Sequence, residues 1–430
     1  MNDAEQLAAR THLRLAFRPS APIEKYSLFA GRQKQTDMVI GAVLQHGQHA
    51  ILYGEPGVGK TSLAKVLAEI VSEAGIKIVD SDSINCDISD DFSSLWHKAF
   101  KELTFKIKAS SGFAKQESEI EQNLNDLVPE ERVTPDDVRR ALSTLKTHTL
   151  IVFDEFNRIQ DKASRTLMAD TIKNLSDHNI DTTLLLVGVA QSVSDLISEH
   201  QSIERALVQV PMPRMENSEL AEIVTKGLEG SQMTMTAGVR DDIVRLSHGL
   251  PHYTHLLALE AGLAAVARKS NEITPEDLHS AVSETAKTKH TVAQSYYTAI
   301  ASAHKANTYK MTLLACALSP SDDQGFFQAS EAARTMAMLQ GKDCKVSDIQ
   351  RHLNEFISAK RGAALQREGS CRRYRYRFTN PLLQPYTIIH SLSEKLVSES
   401  QLWMTSQPPY DDGVGHPDET TRSEIPYHNP

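Results

Sequence analysis

The eight residues Gly54-Glu55-Pro56-Gly57-Val58-Gly59-Lys60-Thr61 match the pattern GxxxxGK followed by Ser or Thr. Glycine allows backbone conformations that are closed to other residues, so consecutive N–H groups in such a loop can converge on phosphate oxygens. Lys60 would place a positive charge beside the β- and γ-phosphates, and Thr61 would offer its hydroxyl to Mg²⁺. The stretch therefore predicts a P-loop that binds ATP and Mg²⁺.

The residues on either side of this loop support the prediction. The apolar run His49–Tyr53 supplies a strand before it, and Thr61–Ala74 has the pattern of an amphipathic helix after it. The helix would point its positive end at the phosphates. The predicted nucleotide-binding residues of this loop are Gly54, Glu55, Pro56, Gly57, Val58, Gly59, Lys60, Thr61 and Ser62.

A second apolar strand, at residues 150–153, ends in the acid pair Asp154-Glu155. This is the Walker B arrangement, in which an acid at the carboxyl end of a strand holds Mg²⁺ through water and the next acid polarises the attacking water. We therefore predict Asp154 as the metal acid and Glu155 as the catalytic base. Either Asn157 or Arg158 could restrain Glu155, and the sequence leaves both alternatives open.

The order of the elements indicates an α/β fold. Between residues 26 and 200 apolar strands alternate with helical stretches, and the continuous apolar runs Thr149–Phe153 and Thr183–Val189 suit central parallel strands that are covered on both faces. Helical patterns dominate after about residue 215. The predicted units are an N-terminal helix and linker (1–25), a nucleotide-binding domain (26–214), a helical lid (215–290), a winged-helix-like domain (291–398) and a disordered acidic tail (399–430).

The last folded unit carries a basic hairpin. Two helical stretches, Ala329–Met338 and Ser347–Ala359, precede a strand in which three aromatic residues alternate with three arginines. In one interpretation the aromatic face packs inward and the arginines face water or an acidic protein surface. In the other, the arginines grip DNA phosphates. The predicted nucleic-acid contacts are Lys360, Arg361, Arg373, Arg375 and Arg377.

Composition sets outer limits on function. The chain has 430 residues and a net charge of −9, which excludes a chain-wide field attracting nucleic acid but permits a local basic patch. No apolar run is long enough for a membrane-spanning helix, and the polar start predicts a cytoplasmic protein without a secretory signal. The four cysteines show no CxxC spacing and are expected to be reduced thiols.

With these motifs, residues 20–390 resemble AAA+ ATPases, in particular the origin-recognition-like branch and related bacterial and archaeal P-loop ATPases. Residues 29–32 resemble the box near the adenine, which implies a nucleotide contact for Arg32. Residues 187–192 resemble the sensor 1 strand, whose terminal polar residue would be Gln191, with Ser192 as the alternative.

The resemblance also implies residues that act between subunits and in the lid. Residues 202–205 resemble the segment that supplies an arginine finger, so Arg205 would reach the nucleotide of a neighbouring subunit, and Arg214 is a rival. Residues 247–252 resemble the sensor 2 segment. His252 stands where relatives often carry arginine, and a neutral imidazole brings no permanent charge, which predicts slow or partner-dependent hydrolysis.

The resemblance implies an oligomeric ATPase with ATP between subunits. The hairpin, which resembles part of a winged helix in these ATPases, predicts a nucleotide-controlled switch that acts on DNA and a partner protein, in transposition, replication-like loading or antiphage defence. The alternative is a signal-transduction-type ATPase that gates a separate effector without DNA. A metabolic kinase is disfavoured because the helical lid and winged-helix-like unit do not suit one.

Overall fold

The computed structural model describes residues 1–80, 82, 84–110, 117–190, 192–197, 203–287, 291–302, 308–322, 324–370 and 373–405. The helices are α1 (Asp3–Ala16), α2 (Gln33–Leu44), α3 (Lys60–Glu73), α4 (Phe92–Lys101), α5 (Pro135–Leu142), α6 (Lys162–Asp177), α7 (Asn217–Leu228), α8 (Ala237–Ser247), α9 (Pro251–Ala267), α10 (Pro275–Lys287), α11 (Thr291–Ile300), α12 (Thr308–Ala317), α13 (Ala329–Gln340), α14 (Val346–Ile357), α15 (Leu383–Ser393) and α16 (Glu399–Thr405). The strands are β1 (His49–Gly54), β2 (Lys77–Val79), β3 (Thr104–Ser110), β4 (Glu117–Asn123), β5 (Thr149–Phe153), β6 (Thr182–Val189), β7 (Leu207–Met212), β8 (Thr234–Met235), β9 (Glu272–Ile273), β10 (Phe327–Gln328), β11 (Leu365–Glu368) and β12 (Arg375–Phe378).

A five-stranded parallel sheet with the order β2-β5-β6-β1-β7 forms the centre of the nucleotide-binding domain. Alternate residues of β1 bury themselves on opposite faces, with Leu52 in one apolar cluster and Ile51 in the other. Both faces are therefore covered, which confirms the predicted α/β fold. The carboxyl ends of β1 and β5 lie at the same edge of the sheet with β6 between them, so the P-loop and the acid pair come together.

The helical unit α7–α10 packs together with the N-terminal helix. Helix α1 contacts α9 and α7, and Phe17, which follows α1, is buried. A Cβ atom at Gly227 of α7 would lie 2.3 Å from the Phe17 ring, so the absence of a side chain there lets the ring approach the helix. The N-terminal segment thus belongs to the packed structure of the helical unit.

The C-terminal unit combines helices α11–α15 with an antiparallel sheet of order β10-β12-β11. Tyr376 and Phe378 of β12 are buried, and the Tyr376 ring stacks on that of Phe327, so the aromatic face of the hairpin packs inward. Helix α15 joins this unit to the preceding one through its contacts with α10.

The predicted acidic tail begins at residue 399, but Glu399–Thr405 form helix α16. The rest of that segment, residues 406–430, lies outside the described residues. Within the part of the chain that is described, no helix has both the length and the apolar character that a membrane span requires.

Candidate nucleotide-binding site

A cavity of about 380 Å³ lies above the carboxyl edge of the sheet. This volume falls in the range of small-molecule sites. Its floor is the P-loop with Asp154 and Glu155, and its other walls come from the N-terminal linker, the first turn of α9 and Leu382 of the C-terminal unit. All three units of the chain therefore border one cavity.

The backbone of the P-loop requires glycine at two positions. Gly57 has a φ of 82°, and Gly59, which caps α3, has a φ of 95°. Residues that carry a Cβ atom rarely adopt this left-handed backbone conformation. The N–H groups of the first turn of α3 lie at the helix end that borders the cavity. They carry the partial positive charge of that helix end. The loop therefore fits a phosphate group.

Lys60 is buried in the first turn of α3. Its Nζ donates hydrogen bonds to the carbonyl oxygens of Gly54 (3.1 Å) and Glu55 (2.7 Å). Burial lowers the pKa of Lys60 to about 8, against the opposing effect of the carboxylates of Asp154 and Glu55. An ammonium held in this way can exchange carbonyl oxygens for phosphate oxygens.

Asp154 follows β5 and is 6% exposed. Its main chain is fixed by a bridge to the neighbouring segment, because its N–H donates to Ile84 and its carbonyl accepts from Cys86. Burial raises the pKa of the Asp154 carboxyl, whereas hydrogen bonds from the Glu155 N–H and the Thr61 hydroxyl lower it. The pairing of Thr61 with Asp154 supplies the oxygen donors that Mg²⁺ prefers.

Glu155 has a left-handed backbone with a φ of 53° and an exposed side chain. Its Oε2 accepts a hydrogen bond of 2.9 Å from Nη1 of Arg158. The side chain of Asn157 contacts a different segment, because its Oδ1 accepts a hydrogen bond from the N–H of Val189 (2.8 Å). Of the two alternatives that the sequence left open, Arg158 is therefore the residue that contacts Glu155.

Arg32 lies beneath the P-loop and is 2% exposed. Its Nη2 donates to the carbonyl oxygens of Val58 (3.1 Å) and Pro213 (2.6 Å), and it borders the cavity. Burial lowers the pKa of the Arg32 guanidinium. The observed contacts make Arg32 a residue that positions the P-loop through the Val58 carbonyl.

His252 borders the cavity from the first turn of α9. Its Nδ1 lies 2.7 Å from the carbonyl oxygen of Pro19, which can only accept, so Nδ1 carries the proton of this bond. Ser62 makes a similar connection, since its hydroxyl accepts from the N–H of Ile23. Both predicted residues thus tie the linker to the walls of the cavity.

The structure describes one of the two predicted sensor 1 residues, Ser192. Gln191 lies outside the described residues. Ser192 begins a turn in which its N–H donates to Asp195 (3.0 Å). Its place after β6 is at the carboxyl edge of the sheet, as the resemblance implies.

The two candidate finger arginines lie at opposite edges of the sheet. Arg205 is exposed at the amino end of β7, where its carbonyl accepts from the side chain of Gln48. Because β7 is parallel to β1, this end is remote from the P-loop of the same chain. Arg214 follows the carboxyl end of β7 and is committed within its own chain, which argues against its role as a finger.

Arg214 connects the P-loop to the C-terminal unit, a contact that the sequence did not reveal. Its Nε donates to Oε2 of Glu55 (2.9 Å), and its Nη1 donates to Oε1 of Gln384 (2.7 Å). Side-chain exposure is 12% for Arg214 and 10% for Glu55. Arg214 Nη1 also lies 3.5 Å from the carbonyl oxygen of His248. We call Glu55, Arg214 and Gln384 the clamp.

Three of the predicted DNA contacts are engaged inside the chain. Arg361 is buried, donates to the carbonyl of Ala299 and lies 3.5 Å from the ring centre of Tyr309, which argues against a phosphate contact. Arg375 forms ion pairs with Asp322 (2.9 Å) and Glu368 (3.2 Å).

Arg377 faces the nucleotide-binding domain and borders a second cavity of about 280 Å³ together with Glu55. Its pKa is lowered by burial, against the opposing effect of Glu55. Lys360 and Arg373 are exposed, and so is Arg367, which lies 4.2 Å from the ring centre of Tyr374. Of the predicted DNA contacts, Lys360 and Arg373 are therefore exposed, and Arg367 is an exposed arginine that was not predicted.

The sequence profile of the AAA ATPase domain family matches residues 28–187. The matched segment contains both the P-loop and the acid pair after β5, and it confirms the predicted AAA+ ATPase domain in this part of the chain. No curated protein is significantly similar to the chain in sequence.

Several solved structures are similar to the chain. Cdc6p of Pyrobaculum aerophilum is 14% identical with a TM-score of 0.45, over 90% of this chain and 98% of that one. Orc1 of Aeropyrum pernix in complex with DNA is 15% identical with a TM-score of 0.43, over 86% and 94%. The RuvB Holliday junction branch migration motor of Thermotoga maritima is 14% identical with a TM-score of 0.42, over 85% and 96%. At this level of similarity, function has to be inferred from the chain's own residues.

The lowered pKa of Lys60 predicts that ATP binding depends on pH. Phosphates favour the charged ammonium, so binding raises this pKa from about 8; affinity is full below pH 8 and falls by up to about tenfold per pH unit above it. Calorimetry of MgATP binding between pH 7 and 9.5 measures this, with proton uptake at pH 8. Lys65→Met, in the same helix, should keep the wild-type profile. Lys60→Ala should abolish binding, and a flat wild-type profile would contradict the assignment.

Glu155→Gln should retain ATP binding and lose hydrolysis by a factor of about 10² to 10⁴, because it removes the proton acceptor and keeps the shape. Arg158→Ala should give a smaller loss, because it removes only the side chain that contacts Glu155. Phosphate release under saturating ATP measures both rates, and calorimetry checks binding. Wild-type turnover in Glu155→Gln would exclude Glu155 as the base.

Proposed function

We propose that the protein is an ATP-hydrolysing AAA+ switch in which the state of the P-loop is transmitted to the C-terminal unit. The observation that carries this proposal is the clamp, since Arg214 joins Glu55 of the P-loop to Gln384 of α15 through two hydrogen bonds. The clamp is largely shielded from water, where such contacts are stronger than at the surface.

The residues of the cavity fit ATP and Mg²⁺. The glycine backbone of the P-loop and Lys60 would hold the phosphates, and Thr61 and Asp154 would hold the metal ion. A bound Mg²⁺ supplies charge neutralisation at the phosphates. Glu155 would accept the proton of the attacking water at its carboxylate, with Arg158 holding that carboxylate in place.

ATP would lie between subunits of a homo-oligomer. Arg205 supports this, because its exposed side chain is at the sheet edge opposite its own P-loop and is therefore remote from the nucleotide of its own chain. A guanidinium supplied in this way stabilises the charge that develops during phosphoryl transfer. His252 brings no permanent charge to the sensor 2 position, which supports slow or partner-stimulated turnover.

Glu55 gives the switch its mechanism. Its carbonyl oxygen accepts from Lys60, while its side chain holds Arg214. When Lys60 donates to a phosphate oxygen instead, it loses its hydrogen bond to the Glu55 carbonyl. The loop that carries the Glu55 side chain then has one restraint fewer. ATP binding and the closed clamp would therefore oppose each other.

The output of the switch would be a separate effector protein. The contacts of Arg375 and Arg377 inside the chain favour an effector protein over DNA binding by the arginine face of the hairpin. Transposition, replication-like loading and antiphage defence would differ in the partner and not in the site of this chain.

DNA binding is a second candidate function, supported by the exposed basic side chains of Lys360, Arg367 and Arg373 on the outer surface of the winged-helix-like unit. These three could contact phosphates without disturbing the ion pairs of Arg375.

The switch predicts opposite effects for two substitutions of one residue. Gln384→Ala removes the acceptor for Arg214 and should tighten MgATP binding by about fivefold or more, the lower end of typical coupling between sites. Gln384→Glu gives Arg214 a charged acceptor and should weaken binding. Both variants lose the bond from Gln384 to the Ala317 carbonyl, so each controls for it. Equal ATP affinities in calorimetry would contradict the coupling.

The DNA-binding candidate predicts salt-dependent binding of duplex DNA by the full chain in a gel-shift assay. Reversing the charges of Lys360, Arg367 and Arg373 to Glu should weaken binding and reduce the salt slope by roughly 2 to 3, about 0.9 for each lost phosphate contact. Reversal of Arg10 and Arg14 on α1 is the matched control. Unchanged binding in the triple variant, or no binding by the wild type, would contradict DNA binding by these three residues. The effector protein would then remain as the proposed output.

A further inference from the structure

Three potential metal ligands meet at the sheet edge opposite the nucleotide cavity. His148 precedes β5, Asp181 precedes β6, and His46 lies in the turn before β1. These three strands are neighbours in the order β5-β6-β1 and are parallel, so their amino ends lie side by side. The topology therefore brings together residues that are far apart in the sequence.

The side chains converge on one carboxylate oxygen. Oδ1 of Asp181 lies 2.5 Å from Nδ1 of His148 and 3.3 Å from Nδ1 of His46. One ligand atom from each residue lies within 4.8 Å of the other two. We propose that His46, His148 and Asp181 form a binding site for a divalent transition-metal ion of the Zn²⁺ class.

Neighbouring groups hold the ring of His148 beside this carboxylate. Nε2 of His148 lies 3.3 Å from the Thr183 hydroxyl, which also donates to the carbonyl oxygen of Gln48 (3.3 Å). The other ring nitrogen, Nδ1, therefore faces Asp181, which is the arrangement that a shared metal ion requires.

The donor set selects the class of metal. Two imidazole nitrogens and one carboxylate oxygen suit Zn²⁺, Co²⁺ or Ni²⁺, whereas Mg²⁺ and Ca²⁺ prefer oxygen alone. Metal–ligand bonds of about 2.0 to 2.1 Å place tetrahedral ligands about 3.3 Å apart. The pair His46–Asp181 has this spacing already, and the pair His148–Asp181 would widen by less than about 1 Å.

The proposed metal site is open to solvent, and a neighbouring side chain contacts one of its histidines. The side chain of His46 is 64% exposed and that of Asp181 43%, which leaves an open path for the ion and for water at a fourth position. The Thr183 hydroxyl lies 3.3 Å from Nε2 of His148 and orients the ring, as outer partners of metal-binding histidines do. An ion here would join three loops and stabilise the folded chain.

This site is independent of the proposed ATPase function. The six residues of β1 separate its amino end from the P-loop by roughly 20 Å. Failure of the metal site would therefore leave the nucleotide assignments unchanged, and the reverse also holds.

The test titrates Co²⁺ into the chelator-treated full chain without nucleotide, followed by visible absorption, with Zn²⁺ as competitor and the unfolding midpoint as a second readout. We expect one Co²⁺ per chain at this site, displaced by Zn²⁺, and a higher midpoint with metal. His46→Gln, His148→Gln and Asp181→Asn should each weaken binding by at least about tenfold. His46 lies in an exposed turn, so its variant should fold normally.

His279→Gln is the matched control, because His279 is 70% exposed and pairs with Glu399 at 3.4 Å, and among the described residues this pair belongs to no group of three potential ligands. It should bind Co²⁺ as the wild type does. A wild-type chain that gives no absorption band would overturn the proposal and leave His148 and Asp181 joined by a direct hydrogen bond. Equal affinity in His46→Gln and the wild type would overturn it as well.

Discussion

The buried ammonium of Lys60 is the interaction on which the nucleotide site depends. It sits where β1 ends and α3 begins, and two main-chain carbonyls of the loop hold it in a place from which water is largely excluded. Burial disfavours the charge, so the loop is arranged around a cation that gains by meeting an anion. The left-handed glycines shape the loop around it, Arg32 holds the loop through the Val58 carbonyl, and the carboxylate of Asp154 favours the charged ammonium.

The same loop carries the connection to the rest of the chain. Glu55 stands between two donors: Lys60 donates to its carbonyl oxygen, and Arg214 donates to its carboxylate. Through Gln384 this contact reaches the C-terminal unit, and Leu382 of that unit borders the cavity itself. The phosphate site and the interface between the units are therefore adjacent. A change at one can reach the other without a long path through the chain.

The sequence predicted the parts of the site that depend on local pattern. The P-loop, the strand before Asp154 and the parallel sheet follow from glycine spacing and from apolar runs, which are short-range signals. The inward-facing Tyr376 and Phe378 follow from alternation along a single strand. Arg158 was one of two alternatives for contacting Glu155, and only the turn geometry after Asp154 selects it.

Contacts between distant segments could not be predicted in this way. Arg375 belongs to the alternating strand and Arg361 to the basic stretch before it, but their partners, Asp322 and Ala299, lie in distant segments of the chain. The clamp joins the nucleotide-binding domain to the C-terminal unit, and the proposed metal site joins three loops. In each case the pairing is set by strand order and by the packing of units, which residue spacing does not encode.

Hydrogen exchange of the full chain with and without MgATP tests the central claim most directly. The account predicts slower exchange of the P-loop amides at residues 57–62 and, in the same sample, faster exchange in β12 and the first turn of α15 as the clamp opens. Protection confined to the P-loop, with unchanged exchange at residues 365–390, would contradict the coupling on which the proposed switch rests.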